Sequence, residues 1–207
     1  MKDKILSVLK LALAILLLPL VIGVTVSFWQ NLVNMDRAVS AAFGWGVVVY
    51  LILHILLYEP AQIYDTGKKI TEKAMTFLSP LVKVAGFCIP IFTILAFAFY
   101  FVASKIWTQY NLFPSFIFVA SFTLTMHLVF TANALKGKQA GVLKENYFFS
   151  IFLIYLINML IVAGAFTFLS NDFSFLSFIK KSGEVAGAIY TVSFKQLFEV
   201  EGRRPVQ

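Results

Sequence analysis

Hydrophobic positions in this chain neither alternate with polar ones nor form one-sided stripes; they run on without interruption and are broken by short clumps of charge. Residues 11–35, 38–58, 84–104, 106–135 and 146–171 contain no Asp, Glu, Lys or Arg. About 20 apolar residues suffice for a helix to cross a bilayer. The pattern therefore predicts spans at 9–29, 39–57, 82–104, 113–134 and 147–169. In lipid only helices and closed barrels satisfy the backbone, and the period-two pattern of a barrel strand is missing. The expected fold is an all-α integral membrane protein, a bundle of about five transmembrane helices.

Two amphipathic segments accompany the bundle. Pro60 and Pro80 bracket a charged stretch in which Ile63, Ile70, Ala74, Phe77 and Leu78 recur at near-helical spacing. This predicts a short interfacial helix over 61–79. Beyond the last span, Phe175, Phe178, Ile179, Val185, Ile189 and Val192 are separated by lysines and other polar residues. That spacing suits an amphipathic tail over 171–207 that lies on the membrane surface, with a poorly ordered tail as the alternative, following a transmembrane domain over 1–170. Pro90 is placed to kink the third span and Pro114 to start the fourth. Gly44, Gly46, Gly86, Ala163, Gly164 and Ala165 offer small surfaces for close helix approach.

Composition agrees: of 207 residues 60% are hydrophobic and 13% charged, with a mean hydropathy of +0.86. No soluble domain of this size hides so much apolar surface. A cleaved signal peptide does not fit the start MKDKILSVLK, because the apolar run continues to Trp29 with no small-x-small site before Asn31. One cysteine, Cys88, leaves no disulfide and no Cys-based zinc finger. The net charge of +7 comes without a basic run interleaved with aromatics, so the bilayer and other membrane proteins are the expected partners, not nucleic acid.

Charge also orients the chain. With the N-terminus inside, Lys2, Lys4, Lys10, Lys68, Lys69, Lys73, Lys83, Lys136, Lys138 and Lys144 fall on the cytoplasmic side, against Arg37 and Lys105 outside. This is a positive-inside pattern, and the expected site is the cytoplasmic (inner) membrane with a cytoplasmic N-terminus. The tail breaks it: after five spans it should be outside, yet it carries Lys180, Lys181, Lys195, Arg203 and Arg204.

From Tyr58 onward the order of features resembles the site-2-protease type of intramembrane zinc metallopeptidase, in which a helix carries G-H-E-x-x-H. Laid over that motif, Gly67 and Thr71 match, Ile70 stands for an apolar residue, and the three chemical positions hold Lys68, Lys69 and Glu72. Further likeness lies in Cys88-Ile89-Pro90-Ile91-Phe92-Thr93, in His127-Leu128-Val129-Phe130-Thr131, in Gln139, in Tyr147-Phe148-Phe149-Ser150 and in Asn158. Ala140 and Gly141 stand where some relatives have an Asp. The resemblance covers residues 58–165 and implies a helical membrane fold. The replacements matter more than the matches: an ammonium offers zinc no lone pair, and Lys69 is no general base at an ordinary pKa. The resemblance thus implies a non-catalytic relative, a pseudopeptidase that binds a membrane segment or partner without cutting it and needs no cofactor.

Two alternatives stand beside this expectation. A small transporter or channel subunit would use the kinked third span and His127 or Asn158 along a polar path; Glu59 and Asp65 stand beside these two as candidate functional polar residues. A membrane metalloenzyme would hold zinc with displaced ligands, His54, Cys88 and His127, which fall at similar depths by helical rise. No P-loop, G-x-G-x-x-G or G-x-S-x-G motif occurs.

Overall fold

A computed structural model describes residues 2–57, 88–137 and 144–198, and among these the chain is wholly helical outside short turns. Six helices follow one another: α1 Lys2–Met35, α2 Arg37–Leu57, α3 Ile91–Ile106, α4 Phe113–Gly137, α5 Lys144–Leu169 and α6 Phe175–Phe198. Four of them are long and apolar enough to cross a membrane, over Val8–Met35, Arg37–Leu56, Phe113–Lys136 and Tyr147–Leu169. The third predicted span is interrupted among the described residues: Ile89 and Pro90 are not helical, and α3 begins at Ile91. Proline has no amide hydrogen to give and fixes its own φ, so the break falls where the sequence placed a kink. Sixteen residues make α3 about 24 Å long, less than a hydrocarbon core of about 30 Å. The predicted interfacial helix over 61–79 lies outside the described residues.

Short polar turns set the hairpins. Asp36 alone separates α1 from α2; its carboxylate accepts the Ala38 amide at 3.0 Å and its carbonyl that of Ser40 at 3.0 Å. Asn111 receives the Phe113 amide at 3.3 Å at the start of α4, and Ser174 that of Ser177 at 3.3 Å at the start of α6. Each side chain satisfies an amide that the first helical turn leaves without a partner.

Cross-helix pairs fix the directions. Tyr50 meets Phe122 and His54 meets Phe130, so α2 and α4 run the same way. Thr93 meets Thr123 while Phe97 and Tyr100 meet Phe116, so α3 and α4 are opposed. Gly46 lets α2 close on α4: a side chain there would run into Ser121 Oγ and the Phe118 carbonyl. Of the other small residues singled out, Gly164 has no described atom within 4 Å of where a Cβ would sit, so it makes no close approach.

The tail is helical, but its placement corrects the expectation of a surface-lying segment. α6 is laid antiparallel along α1. Ser27 Oγ donates to the Phe178 carbonyl at 2.9 Å, Ser182 Oγ donates to the same oxygen at 2.7 Å, and the Tyr190 hydroxyl donates to the Leu16 carbonyl. A Cβ on Gly23 would strike the Ser182 carbonyl and lie 3.2 Å from the Ala186 amide nitrogen. Small and hydroxylated residues four apart on both helices, Gly23 with Ser27 and Ser182 with Ala186, produce this close seam. The six helices alternate in direction. Both ends of the described chain therefore lie at one end of the bundle, with Lys10, Lys136 and Lys195 toward that end.

Near the opposite end an aromatic core locks the assembly. Phe28 of α1, 2% exposed, lies 5.4 Å from Phe43, 5.6 Å from Phe166, 5.7 Å from Phe173 and 6.2 Å from Phe178. One side chain thereby ties α1 to α2, α5, α6 and the turn before α6.

Candidate functional site

Two of the buried polar side chains, Asn158 and Thr93, lie where α3 is interrupted. Proline at 90 leaves Cys88 and Ile89 ahead of the helix, and the backbone there turns on an Ile91 amide to Ile89 carbonyl bond of 3.0 Å. The carbonyl of Cys88 accepts from Asn158 Nδ2 of α5 at 3.2 Å, and the same nitrogen donates to the Ile154 carbonyl at 2.8 Å. Asn158 is fully buried, and its Oδ1 has no hydrogen-bond partner among the described residues. An acceptor left bare in a low-dielectric interior costs the full desolvation of the group, so this oxygen is a place for a donor.

Across the break, Thr93 of α3, 1% exposed, pairs its hydroxyl with that of Thr123 on α4 at 3.1 Å. Thr123, His127 and Thr131 are four residues apart and so share a face of α4 that runs from this level toward the basic end. His127 and Thr131 are both buried. Among the sequence candidates, Asn158 and His127 thus lie in the interior, and Asn158 contacts the chain at Cys88 directly.

His54 is engaged elsewhere. Its ring stacks on Tyr50 at 5.7 Å, with Nδ1 3.4 Å from the Tyr50 hydroxyl, and meets the edge of Phe130 at 5.8 Å. Among the described residues no three His, Cys, Asp or Glu side chains are grouped so as to hold a metal ion. The alternative ligand set of His54, Cys88 and His127 is therefore not assembled; similar depth did not bring the three to one point, because depth says nothing about helix face. Glu59, Asp65, Lys68, Lys69 and Glu72 lie outside the described residues. Comparison with family models, curated proteins and solved structures gives no match.

A separate cavity of about 240 Å³ opens between α3 and α4, lined by Ala96, Phe99, Tyr100, Ala103, Phe116 and Val119 among others. Its apolar walls offer no orienting polar group except the Tyr100 hydroxyl and Ser115, unlike the layer around Asn158. Two further features escape a reading of the sequence. The Thr93–Thr123 pair is visible there only as one threonine in each of two apolar helices. Glu184 of α6 is exposed on the side of that helix away from α1, whereas hydropathy places it with the whole tail on the membrane surface.

Proposed function

We propose that this chain is a multi-pass protein of the cytoplasmic membrane, N-terminus inside, that binds a small polar or ionic solute in its interior, as a transporter or channel subunit does. The observation that carries the reading is the fully buried Asn158, whose Oδ1 lacks a donor among the described residues, beside a broken helix. Mere interhelical glue would satisfy both ends of the amide. Discontinuous helices at mid-depth are a recurring way to present free backbone groups to a solute. The face of α4 bearing Thr123, His127 and Thr131 extends the polar character toward the basic end, and helices α2, α3 and α5 seal the rest with apolar side chains. The orientation draws support from the return of α6, which brings the tail's Lys195 to the end that holds Lys10 and Lys136, where a positive-inside chain keeps its lysines.

Purified protein in proteoliposomes, assayed for flux and binding across a panel of ions, amines, amides and sugars, tests this. Uptake of at least one solute, abolished by Asn158→Leu in a chain that still folds, is the expected result; no movement or binding across the panel counts against it. A second reading is a non-catalytic scaffold resembling the intramembrane metallopeptidases. It is favoured by the outward face of α6, where a Cβ added to Gly183 or Gly187 would meet no described atom within 4 Å, leaving room for another helix. Near-stoichiometric zinc in purified protein, lost on changing His54 or His127, would sink that version.

A further inference from the structure

The break before α3 leaves bare donors close to the bare acceptor of Asn158. Pro90 has no amide hydrogen, and the Ile91 amide is taken by the Ile89 carbonyl at 3.0 Å. Helical bonding begins with the Ile94 amide, which meets the Pro90 carbonyl at 3.0 Å. The amides of Phe92 and Thr93 fall between these two, and among the described residues neither has a partner. Thr93 is 1% exposed, so its amide is shut away from water. Both amides point back toward the break, where the positive end of the helix dipole also lies. On the other side, both hydrogens of Asn158 Nδ2 are already given to the Cys88 and Ile154 carbonyls, which fixes Oδ1 as an acceptor. Asn158 meets the chain at Cys88 and Phe166 meets Phe97 at 5.9 Å, so α3 and α5 run in the same direction. Thr93 is therefore about one turn, roughly 6 Å, beyond the level of Asn158, and its amide points back into that interval. No Asp, Glu, Lys or Arg stands among the buried residues of the described chain. A full charge brought here would lose its hydration without gaining a counter-charge.

We propose that the start of α3 and Asn158 together bind a small uncharged solute of the carboxamide or urea class. Its carbonyl oxygen accepts from the Phe92 and Thr93 amides, and its N–H donates to Asn158 Oδ1. This inference rests on the interior solute site argued above and gives that site a substrate class. Two hydrogen bonds of about 2.9 Å fill most of the interval, so the acceptor and the donor must sit on neighbouring atoms of the solute. A carboxamide joins the two functions through one carbon and carries no charge. A carboxylic acid offers the same pair only while protonated, and at neutral pH it is ionised. The helix dipole favours the oxygen end at α3, and the side-chain oxygen of Asn158 favours the N–H end, so the solute is held in one orientation.

Acetamide, acetate and acetamidinium have nearly the same size and shape but differ in what they present. Acetamide offers an acceptor and a donor, acetate only acceptors with a negative charge, and acetamidinium only donors with a positive charge. A solute this small binds no tighter than roughly tens of micromolar, so equilibrium dialysis of radiolabelled solute against concentrated full-length protein in lipid nanodiscs is the readout. Acetamide is expected to bind at least about tenfold more tightly than acetate or acetamidinium, and urea is expected to compete with it. N,N-dimethylacetamide keeps the carbonyl but has no N–H, leaves Oδ1 bare, and is expected to be weaker by at least about tenfold. Asn158→Leu is expected to weaken acetamide binding by at least about tenfold in a chain that stays helical and monodisperse. Should that variant not fold, the isosteric solutes on the wild-type protein decide the matter. A preference for acetate or acetamidinium overturns the proposal, as does dimethylacetamide binding equal to that of acetamide. Acetamide binding unchanged in Asn158→Leu also overturns it, since the bare groups then serve only an ordered water. Failure of acetamide and urea to bind while some other solute does overturns this inference and leaves the solute-binding reading standing; failure of every solute in the wider panel removes that reading as well.

Discussion

Gly23→Ala is the sharpest probe of the α1–α6 seam. The added methyl would collide with the Ser182 carbonyl and sit 3.2 Å from the Ala186 nitrogen and 3.3 Å from its Cβ, and the first of these neighbours is backbone that cannot rotate away. Overpacking of this kind costs about 1–3 kcal/mol. Parting the helices also stretches the Ser27 to Phe178 and Tyr190 to Leu16 hydrogen bonds, worth roughly 0.6 kcal/mol each in membrane bundles. Alanine returns about 1 kcal/mol through its better helix propensity. The net is a loss of about 2 kcal/mol, which multiplies the undocked fraction of α6 by roughly 30. Limited trypsin digestion in detergent reads that fraction, because cleavage after Lys180 and Lys181 requires α6 to leave its place and follows the open population when reclosing is fast. The control is Gly164→Ala in α5, which has no described atom within 4 Å and should leave the digestion rate unchanged or slower. Gly23→Ala protein digested at the wild-type rate would refute the close approach.

Phe28→Ala removes a ring that meets four others and should cost about 3–5 kcal/mol, read as loss of helicity at lower denaturant in detergent micelles; a cost under about 1 kcal/mol would mean that the aromatic core is loosely packed. Asn158→Leu gives up hydrogen bonds worth roughly 0.6 kcal/mol each but also removes the bare acceptor, so stability should change by no more than about 1 kcal/mol. Asn158→Asp buries a carboxylate and should cost at least about 2.5 kcal/mol; the reverse ranking in the same unfolding assay would contradict the placement of this side chain. In a Cys88→Ser background, cysteines at 136 and 195 should react with an impermeant thiol reagent from one side of the membrane, and cysteines at 105 and 171 from the other. Reactivity of 195 from the side that labels 105 would show that α6 does not return along α1.

Length without charge made most of the bundle readable. α2, α4 and α5 begin and end within a few residues of the predicted spans, because Arg37, Lys136 and Lys144 mark where apolar sequence stops. The third span was only partly readable: Pro90 announced a disturbance, but not that the helix would start afresh at Ile91. The placement of the tail was not readable, for a definite reason. Apolar residues at helical spacing show that a face is buried without saying whether lipid or protein buries it. The sign that distinguishes them lies in the small residues, Gly23 and Ser27 on one helix and Ser182 and Ala186 on the other, which no hydropathy pattern weighs. In the interior, Asn158 and His127 are legible because polar residues in apolar helices stand out. The metal set of His54, Cys88 and His127 failed because rotation about a helix axis is not encoded in depth.

The sequence separation of 151 between Ser27 and the Phe178 carbonyl sets the timetable on which this protein can be made. At roughly 5–20 residues per second, α1 waits about 8–30 s after its own synthesis before its main partner exists. Through that interval Gly23 and Ser27 lack the helix that covers them in the finished bundle. A chain that stops before Phe175 never ends the wait, and leaves on α1 a permanent polar groove by which a membrane protease can tell the unfinished product from the complete one.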